Sequence, residues 1–394
     1  MTPNLLPAIP SADYPQRWAA VGAMMARQGL DLLIAYADDR AVFGPAHARW
    51  LANFPVHFEP CCVVLAPDAE PVLLCGPESD QYALTIGQLR DVRVLREFTH
   101  PDEDYPFSLI QPLTEVVRSL VPDQSAVRRV GLAGRGLMSF DLLAAFHAAL
   151  PDVEWVDAES WMCDLRAVKS VAEVAVIRHA YQIAQAGLDA ALAAIRPGVS
   201  ERAIAAEADA AMRRLGAEGT GIDTIVAAGP NTRPILARST MRMIERDDLV
   251  LLTVAPRYEG YHAAIGRPVL VGNPAGEIHR AAAAAALAQE ACHAALRPGI
   301  EGRGVEAVGR QIMEEAGYGA YFLYSGVHSV GVIEFEPPIF GPGSAALLQA
   351  GMVISVDIPL FNAPWGGLRV EDGYLLSEGG SERLNQTPRL LRVP

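Results

Sequence analysis

The chain has 394 residues, 51% of them hydrophobic and 20% charged, which is enough apolar sequence to bury large cores in about two domains. The net charge of −14, with no basic run, argues against nucleic acid and against a membrane as partners. The five cysteines show no disulfide or metal-binding spacing and predict a reduced, cytoplasmic protein, and residues 1–7 lack the basic and apolar stretches of a signal peptide.

Residues 1–160 alternate helical and strand patterns of hydrophobicity. The periodicity predicts two helices and three strands: helices over 17–28 and 142–149, and strands over 30–35, 62–65 and 71–75. Because the last two strands follow one another closely, they are expected to pair like a hairpin. This alternation of helices and strands predicts a small α/β domain.

Residues 161–394 change to long helices that come in two pairs, and each pair is followed by strands. The predicted helices are 173–195, 200–215, 279–296 and 304–316. Ser200 is a plausible N-cap and Gly216 a plausible C-cap of the second helix. Arg196-Pro197-Gly198 after the first helix is repeated as Arg297-Pro298-Gly299 after the third. The repeated order predicts an internal duplication.

Three polar residues accompany apolar, strand-like runs in the last fifth of the chain. His328 lies within 326–331, Asp357 follows the run 352–356, and Glu371 follows a glycine-rich start at 366, so each is expected at the end of a strand. A core histidine, a strand-end cap and a turn ion pair are the purely structural alternatives. A histidine beside two carboxylates is, however, a workable acid–base set, which makes His328 the expected proton-transfer residue.

The order of these segments resembles the C-terminal half of the pita-bread family, which includes Xaa-Pro aminopeptidases, prolidases, methionine aminopeptidases and creatinase. Upstream, Leu165–Ser170, Glu173 and Ile177–Ala180 are similar to the entry helix of that family. The resemblance implies an α+β protein with a creatinase-type domain over 1–160 and a pita-bread catalytic domain over 161–394. It also implies a homodimer that acts on a small-molecule substrate.

Two aspartates that complete the dinuclear metal site of the metallopeptidases are missing from the matching segments. Thr253 and Ala264 stand at their positions. Since carboxylates balance the charge of the ions and bridge them, the resemblance implies that no dinuclear centre forms, and a metal-independent enzyme without cofactor is favoured. The alternative is one divalent ion held by His328, Asp357 and Glu371.

Two histidines of the peptidases are replaced as well, by Leu236 and by Phe335. Their loss removes proton donors for a dipeptide substrate and argues against ordinary Xaa-Pro cleavage. Creatinase is the family precedent for hydrolysis without metal. Its catalytic histidine also falls at Leu236, and its substrate-binding glutamate falls near Gly266, so creatine is a poor candidate substrate.

Five further residues are candidate substrate-binding groups. Arg369 could bind a substrate anion or hold Glu371, and Glu336 is either a site carboxylate or a loop anchor. His262 is two residues before Ala264, on the same face of a strand, and could be a compensating base. Phe58 and Glu59 belong to a loop similar to one that, in dimeric relatives, reaches the neighbouring subunit's site.

The sequence therefore predicts a hydrolase of the Xaa-Pro peptidase and creatinase type that breaks a C–N bond of a small molecule without metal. Two alternatives stay open. One is a mononuclear, metal-dependent Xaa-Pro dipeptidase or aminopeptidase, and the other is an inactive pita-bread domain that serves as a binding module. Neither the substrate nor the choice between hydrolysis and elimination follows from the residues.

Overall fold

The structure, a computed structural model, describes residues 6–394 except 68, 122, 124 and 125. The described chain divides into two compact units, residues 9–166 and residues 167–394, the second of which includes residues 6–8. The sequence predicts no signal peptide in residues 1–7. Residues 1–5 of that segment lie outside the described residues. None of the described helices is long and apolar enough to cross a membrane.

The unit of residues 9–166 combines helices with a mixed sheet. Its helices are α1 (Asp13–Gln28), α2 (Ala46–Ala52), α3 (Asp80–Ile86), α4 (Leu113–Leu120), α5 (Phe140–Ala149) and α6 (Glu159–Ala167), with short 3-10 turns at Arg96–Phe98 and Arg135–Leu137. Its strands are β1 (Leu32–Ala37), β2 (Cys61–Leu65), β3 (Val72–Cys75), β4 (Val92–Leu95), β5 (Ile110–Gln111), β6 (Arg129–Ala133) and β7 (Glu154–Asp157).

These seven strands form one sheet in the order β5-β4-β3-β2-β1-β6-β7. The pair predicted as hairpin-like is present, because β2 and β3 are antiparallel with Cys62 opposite Leu74. The strand predicted over 30–35 begins two residues later, at Leu32. Gly29 ends α1 in the left-handed conformation, and Asp31 then accepts the backbone N–H groups of residues 128 and 129, so the chain is still turning there.

The second unit contains two helix pairs and most of the strands. Its helices are α7 (Val171–Ala194), α8 (Glu201–Arg214), α9 (Gly276–Ala295) and α10 (Arg303–Glu315), with 3-10 turns at Gly229–Thr232 and Gly319–Tyr321. Its strands are β8 (Gly219–Thr220), β9 (Ile225–Ala228), β10 (Leu249–Val254), β11 (Pro256–Tyr258), β12 (Tyr261–His262), β13 (Ile265–Val271), β14 (Val327–Ser329), β15 (Glu336–Ile339), β16 (Val353–Ala363), β17 (Gly366–Ser377), β18 (Gly380–Arg383) and β19 (Leu391–Val393).

A nine-stranded sheet runs β15-β14-β16-β17-β13-β10-β9, with β18 beside β17 and β19 beside β13, while β12-β11-β8 form a small sheet of their own. The chain order of this unit is α7, α8 and strands, then α9, α10 and strands, as the duplication predicts. Ser200 caps α8 by accepting the N–H of Ala203, and Ser170 and Glu173 form a capping box at α7. The C-cap of α8 is Leu215, with Gly216 following at a φ of 102°.

One face of the long strands β16 and β17 packs on α9. The helix presents small side chains there, which allow a close approach to the sheet. Alternate residues of both strands, such as Ile354, Val356 and Val370, form one core with the alanines of α9. Because side chains of a strand alternate between faces, the residues in between point to the opposite face, where the candidate site lies.

Candidate active site

Polar side chains of the two long strands gather on that opposite face. Asp357 on β16 lies directly opposite Glu371 on β17 in the antiparallel register. Ser355 and Arg369 are each two residues away on the same strands and therefore share the face. All four side chains are buried. The expectation that Asp357 and Glu371 end their strands is wrong, because the pairing of β16 with β17 continues past both and satisfies the backbone on either side.

Arg369 is a buried cation beside this carboxylate pair. Its Nε lies 3.5 Å from Asp357 Oδ2, and its Nη1 lies 3.8 Å from Glu371 Oε2. Its Nη2 donates to the hydroxyl of Tyr324 at 2.6 Å, and that hydroxyl donates to Asp357 Oδ2 at 2.6 Å. Although burial opposes the charged form, Asp357 raises the pKa of Arg369, so the guanidinium stays charged. Arg369 thus contacts both carboxylates rather than Glu371 alone.

His328 lies in the middle of the short strand β14, opposite Ser355. Its Nδ1 is 2.9 Å from the carbonyl oxygen of Ser329, which can only accept, so Nδ1 carries the proton of the neutral ring. The other nitrogen, Nε2, lies 4.0 Å from Glu371 Oε1. Burial lowers the pKa of His328, and the charge of Glu371 only partly opposes this. The imidazole is therefore neutral at pH 7, with Nε2 free of its proton.

Glu334 is a site residue that the sequence did not reveal. It lies between β14 and β15, is 9% exposed, and places a carboxylate oxygen close to His328 and Glu371. Burial, reinforced by the charge of Glu371, raises the pKa of Glu334 to about 8. Burial also raises the pKa of Asp357 to about 7, against the effect of Arg369. The site thus combines a neutral histidine with a carboxylic acid that holds its proton near neutral pH.

Glu336, predicted as a site carboxylate or a loop anchor, is engaged elsewhere. Its Oε2 lies 3.7 Å from the Nζ of Lys169, and both side chains are almost completely buried. The same Nζ donates to Ser329 Oγ at 3.0 Å and to the carbonyl oxygen of Ala167 at 3.1 Å. These contacts favour the anchoring role, in which Glu336 balances the charge of Lys169.

His262, the proposed compensating base, lies next to Glu334. A Cβ built on Gly221 would lie 2.6 Å from His262 Cδ2 and 2.8 Å from Glu334 Cβ, so the two side chains flank the same point. The backbone N–H of His262 donates to the carbonyl oxygen of Gly331 at 2.9 Å. Burial lowers the pKa of His262 to about 3. It is therefore a neutral group at the edge of the site.

Phe58 and Glu59 belong to the other unit. Phe58 is 78% exposed and has a left-handed φ of 66°, and its N–H donates to Asp39 Oδ2 at 3.0 Å. Glu59 is buried and accepts the N–H of Glu78. The strained and exposed Phe58 is consistent with a contact to another molecule. The role of both residues in a partner's pocket stays a prediction.

The donor set of this face does not fit a dinuclear metal centre. Thr253 and Ala264, which the resemblance places at the two aspartate positions, are completely buried and bring no carboxylate. Among the described residues, one group could hold a metal ion, formed by His328, Glu334 and Glu371, whose ligand atoms lie within 4.8 Å of one another. One nitrogen and two carboxylates suit a single divalent ion.

That group differs from the ligand set expected from the sequence. Asp357 is not part of it and Glu334 takes its place. The short Asp357 side chain is turned toward Tyr324 and Arg369, which both bind its Oδ2. Asp357 Oδ1 and Glu371 Oε2 are among the buried oxygens that accept no hydrogen bond in the described part of the chain. Such oxygens indicate where a ligand would bind.

Comparison with known families and proteins agrees with this architecture. Residues 175–378 match Metallopeptidase family M24, and residues 17–168 match the Creatinase/Prolidase N-terminal domain. The uncharacterized peptidase YqhT of Bacillus subtilis is 31% identical over 286 residues, which cover 73% of this chain and 79% of YqhT. The Xaa-Pro dipeptidase of Pyrococcus furiosus is 31% identical over 256 residues, or 65% of this chain and 74% of the dipeptidase.

Solved structures show the same fold. The prolidase from Pyrococcus horikoshii OT3 has a TM-score of 0.82 at 23% identity and covers 95% of this chain and 99% of its own. The dipeptidase PepE from Mycobacterium ulcerans has the same TM-score and identity over 98% of this chain and 100% of its own. At this level of identity, the match supports the fold alone.

The chain belongs to Metallopeptidase family M24. Within it, the chain is a prolidase-like hydrolase of the Xaa-Pro peptidase type, with a creatinase-type N-terminal domain and a pita-bread domain. The predicted family and the α+β fold class are therefore confirmed. The expected lack of a cofactor finds no support in these comparisons, because the matched family is one of metallopeptidases.

Proposed function

We propose that this chain hydrolyses a C–N bond of a small substrate without a metal ion. The observation that carries the proposal is the convergence of His328, Glu334 and Glu371 on one buried face, with Thr253 and Ala264 where a dinuclear site would need carboxylates. The homodimer and the cytoplasmic location expected from the sequence belong to the same proposal. All five cysteines are free and buried, which is consistent with a reducing compartment.

His328 is the general base of the proposed reaction. The hydrogen bond from Nδ1 to the Ser329 carbonyl fixes the tautomer and leaves Nε2 without a proton, 4.0 Å from Glu371 Oε1. A water molecule held between Nε2 and Glu371 would lose its proton to the imidazole as it attacks the substrate carbon. Ser355 Oγ donates to Glu371 Oε1 at 2.9 Å and holds that carboxylate in position.

Glu334 is the general acid. Its raised pKa keeps a proton on the carboxyl near neutral pH, and that proton can be given to the leaving nitrogen. Burial separates the roles of base and acid, because it keeps the imidazole of His328 neutral and the carboxyl of Glu334 protonated at the same pH. Arg369 and Tyr324 hold Asp357 beside the pair and shape the charge of the pocket.

A single-metal Xaa-Pro dipeptidase or aminopeptidase is the second candidate. The donor atoms of His328, Glu334 and Glu371 would hold one divalent ion, and relatives that match most of this chain are Xaa-Pro dipeptidases. When bound, such an ion would lower the pKa of a water molecule and polarise the substrate carbonyl. In that case, Glu334 would be ionised and unable to act as the acid.

Metal content and activity, measured together, test the proposal. Protein purified without chelator is analysed by plasma mass spectrometry and assayed on Xaa-Pro dipeptides and on small amides and amidines, before and after chelation. We expect less than ~0.1 metal per chain and C–N hydrolysis that survives chelation. About one metal per chain, with dipeptide cleavage abolished by chelation, would establish the single-metal peptidase instead.

The variant His328→Asn should lose hydrolysis in either case, whereas the exposed His100→Asn serves as the matched control. If His328→Asn keeps the rate of the wild-type chain, neither candidate mechanism is correct.

A further inference from the structure

The candidate site holds more buried carboxyl groups than basic side chains that could balance them. Glu334, Asp357 and Glu371 are all at most 9% exposed and face one guanidinium, that of Arg369. The nearby Lys169 is already paired with Glu336, which is outside this set. Even with Glu334 protonated, an ionised Asp357 and an ionised Glu371 carry one negative charge more than Arg369 balances. Buried charge of this kind must be balanced by protons or by a bound cation.

Two carboxylate oxygens mark the place where the balancing group would bind. Asp357 Oδ1 and Glu371 Oε2 are buried and accept no hydrogen bond within the described part of the chain. They belong to residues that lie directly opposite each other on β16 and β17, so both project from one spot on the sheet. Ionised carboxylate oxygens require N–H or O–H donors. A ligand that supplies two N–H donors and a positive charge would satisfy both.

An apolar surface continues from this spot. The ring of Tyr324 stacks on Phe361 with centroids 6.3 Å apart, and the guanidinium of Arg369 lies 5.6 Å above the Phe361 ring. Ile222 and Ile235 are only partly buried and pack against the same cluster as Phe361. A short aliphatic chain attached to the cationic group would therefore find apolar side chains next to the polar ones.

We propose that the ligand of this site is a small amide that carries a primary or secondary ammonium group on an aliphatic spacer, with the ammonium bound between Asp357 and Glu371. That the amide is also cleaved there rests on the proposed function. The assignment of the ligand itself rests on the charge count, on the two oxygens without donors and on the apolar surface beside them.

Three probes of matched length test the assignment by calorimetric titration of the purified chain. N-acetylputrescine carries an ammonium, N-pentylacetamide replaces the ammonium by a methyl group, and the trimethylammonium analogue keeps the charge but has no N–H on the charged group. We expect N-acetylputrescine to bind at least about tenfold more tightly than either of the others, since hydrogen bonds to charged groups contribute that much. The isosteric variant Asp357→Asn should lose the preference, and the exposed Asp152→Asn should keep it.

Other results would overturn the assignment. Equal binding of N-acetylputrescine and N-pentylacetamide would do so, as would equal binding of the trimethylammonium probe, or no binding of any probe. One equivalent of Mn²⁺ that binds alone and prevents binding of N-acetylputrescine would show that a metal ion balances the charge. If Asp357→Asn does not fold, Glu371→Gln is the second variant, with the same expected loss of preference.

Hydrolysis of the same probes, followed by mass spectrometry, separates this assignment from the proposed function. Tight and selective binding of N-acetylputrescine without cleavage of any amide would keep the ligand assignment and remove the hydrolase. Cleavage of N-pentylacetamide at the same efficiency as N-acetylputrescine would keep the hydrolase and remove the ligand assignment.

Discussion

The side chain of Arg369 lies against the bare backbone of Gly266. A Cβ at position 266 would lie 2.6 Å from Arg369 Cδ and 2.8 Å from its Cγ, closer than real Cβ atoms approach their neighbours. Gly266 is opposite Glu371 across β13 and β17 and opposite Thr253 across β13 and β10. The missing side chain at this central position therefore makes room for the guanidinium that faces both site carboxylates.

Replacement of Gly266 by alanine should displace Arg369. The extra methyl group would cost about 1–3 kcal/mol of unfolding free energy, as expected for overpacking. Hydrolysis should fall with it, because Asp357 and Glu371 would lose their cation. Denaturant unfolding and steady-state kinetics measure the two effects. The control is Gly304→Ala, where a Cβ would meet nothing within 4 Å. Wild-type activity of Gly266→Ala would show that the position of Arg369 is unimportant.

The Tyr324 hydroxyl should matter for rate as well as for stability. In Tyr324→Phe, Asp357 loses a donor at 2.6 Å and Arg369 loses an acceptor at 2.6 Å, while the ring keeps its place on Phe361. A bond between charged or polar groups of this kind contributes about 1.5–3 kcal/mol, so kcat/KM should fall about tenfold or more. Tyr321→Phe is the matched control. An equal loss in both variants would argue against a role of the hydroxyl in the site.

The proposed acid predicts a pH profile. Because the pKa of Glu334 is raised to about 8, the hydrolysis rate should fall as the pH rises through that value and the carboxyl loses its proton. Glu334→Gln should lower kcat about 10²–10⁴-fold and remove this alkaline limb. The exposed Glu378→Gln should behave like the wild-type chain. A rate that stays constant beyond pH 8, with metal bound, would indicate an ionised Glu334 and the single-metal candidate.

The same shift affects stability with a definite sign. The pKa of Glu334 is higher in the folded chain than the ordinary value of 4.5, so the folded state binds this proton more strongly. The stabilisation is complete below pH 4.5 and is lost as the pH rises through about 8. Denaturant unfolding at several pH values should show this loss in the wild-type chain and a flatter dependence in Glu334→Gln. An identical dependence in both would show that Glu334 does not titrate in this range.

The buried pair of Lys169 and Glu336 should be important for folding. Lys169→Met leaves Glu336 without its cation and should cost about 3–5 kcal/mol of unfolding free energy, whereas Lys169→Met with Glu336→Gln should recover part of that loss. The exposed pair of Arg303 and Glu301 provides the control, since Arg303→Met should cost less than about 1 kcal/mol. If the Glu336→Gln variant folds normally and differs from the wild-type chain only in a raised KM, Glu336 binds substrate rather than anchoring the loop.

Much of the architecture was predictable because it depends on local pattern. The four long helices of the second unit each lie within a few residues of their predicted bounds, since helical periodicity and glycine or proline stops are local signals. The clustering of Asp357 with Glu371 also follows from alternation, which puts polar residues of neighbouring strands on one face. The positions of Asp357 and Glu371 in the middle of their strands could not be predicted from the sequence. Hydrogen bonds to a partner strand make each strand longer than its run of apolar residues.

The two site residues that the sequence did not reveal, Glu334 and Tyr324, lie outside the helices and strands. Glu334 is in the turn between β14 and β15, and Tyr324 precedes β14, so neither has a strand or helix direction that predicts its orientation. The contact of Tyr324 with Asp357 spans 33 residues, and that with Arg369 spans 45. Attention to charge could have found Glu334, since an acidic residue between Ile333 and Phe335 is unusual unless it is paired or functional.

The duplication also has a consequence for the order of folding. Gly266 on β13 belongs to the first repeat and Glu371 on β17 to the second, and these two residues meet where the repeats join into one sheet. Each repeat can form its helices and hairpins from nearby sequence, and the acidic residues and Arg369 all belong to the second repeat. The space over Gly266 in which Arg369 lies, however, forms only after the two halves dock. Catalytic competence should therefore be acquired in the last step of folding, and a chain cut between the repeats would recover activity only as fast as its halves reassociate.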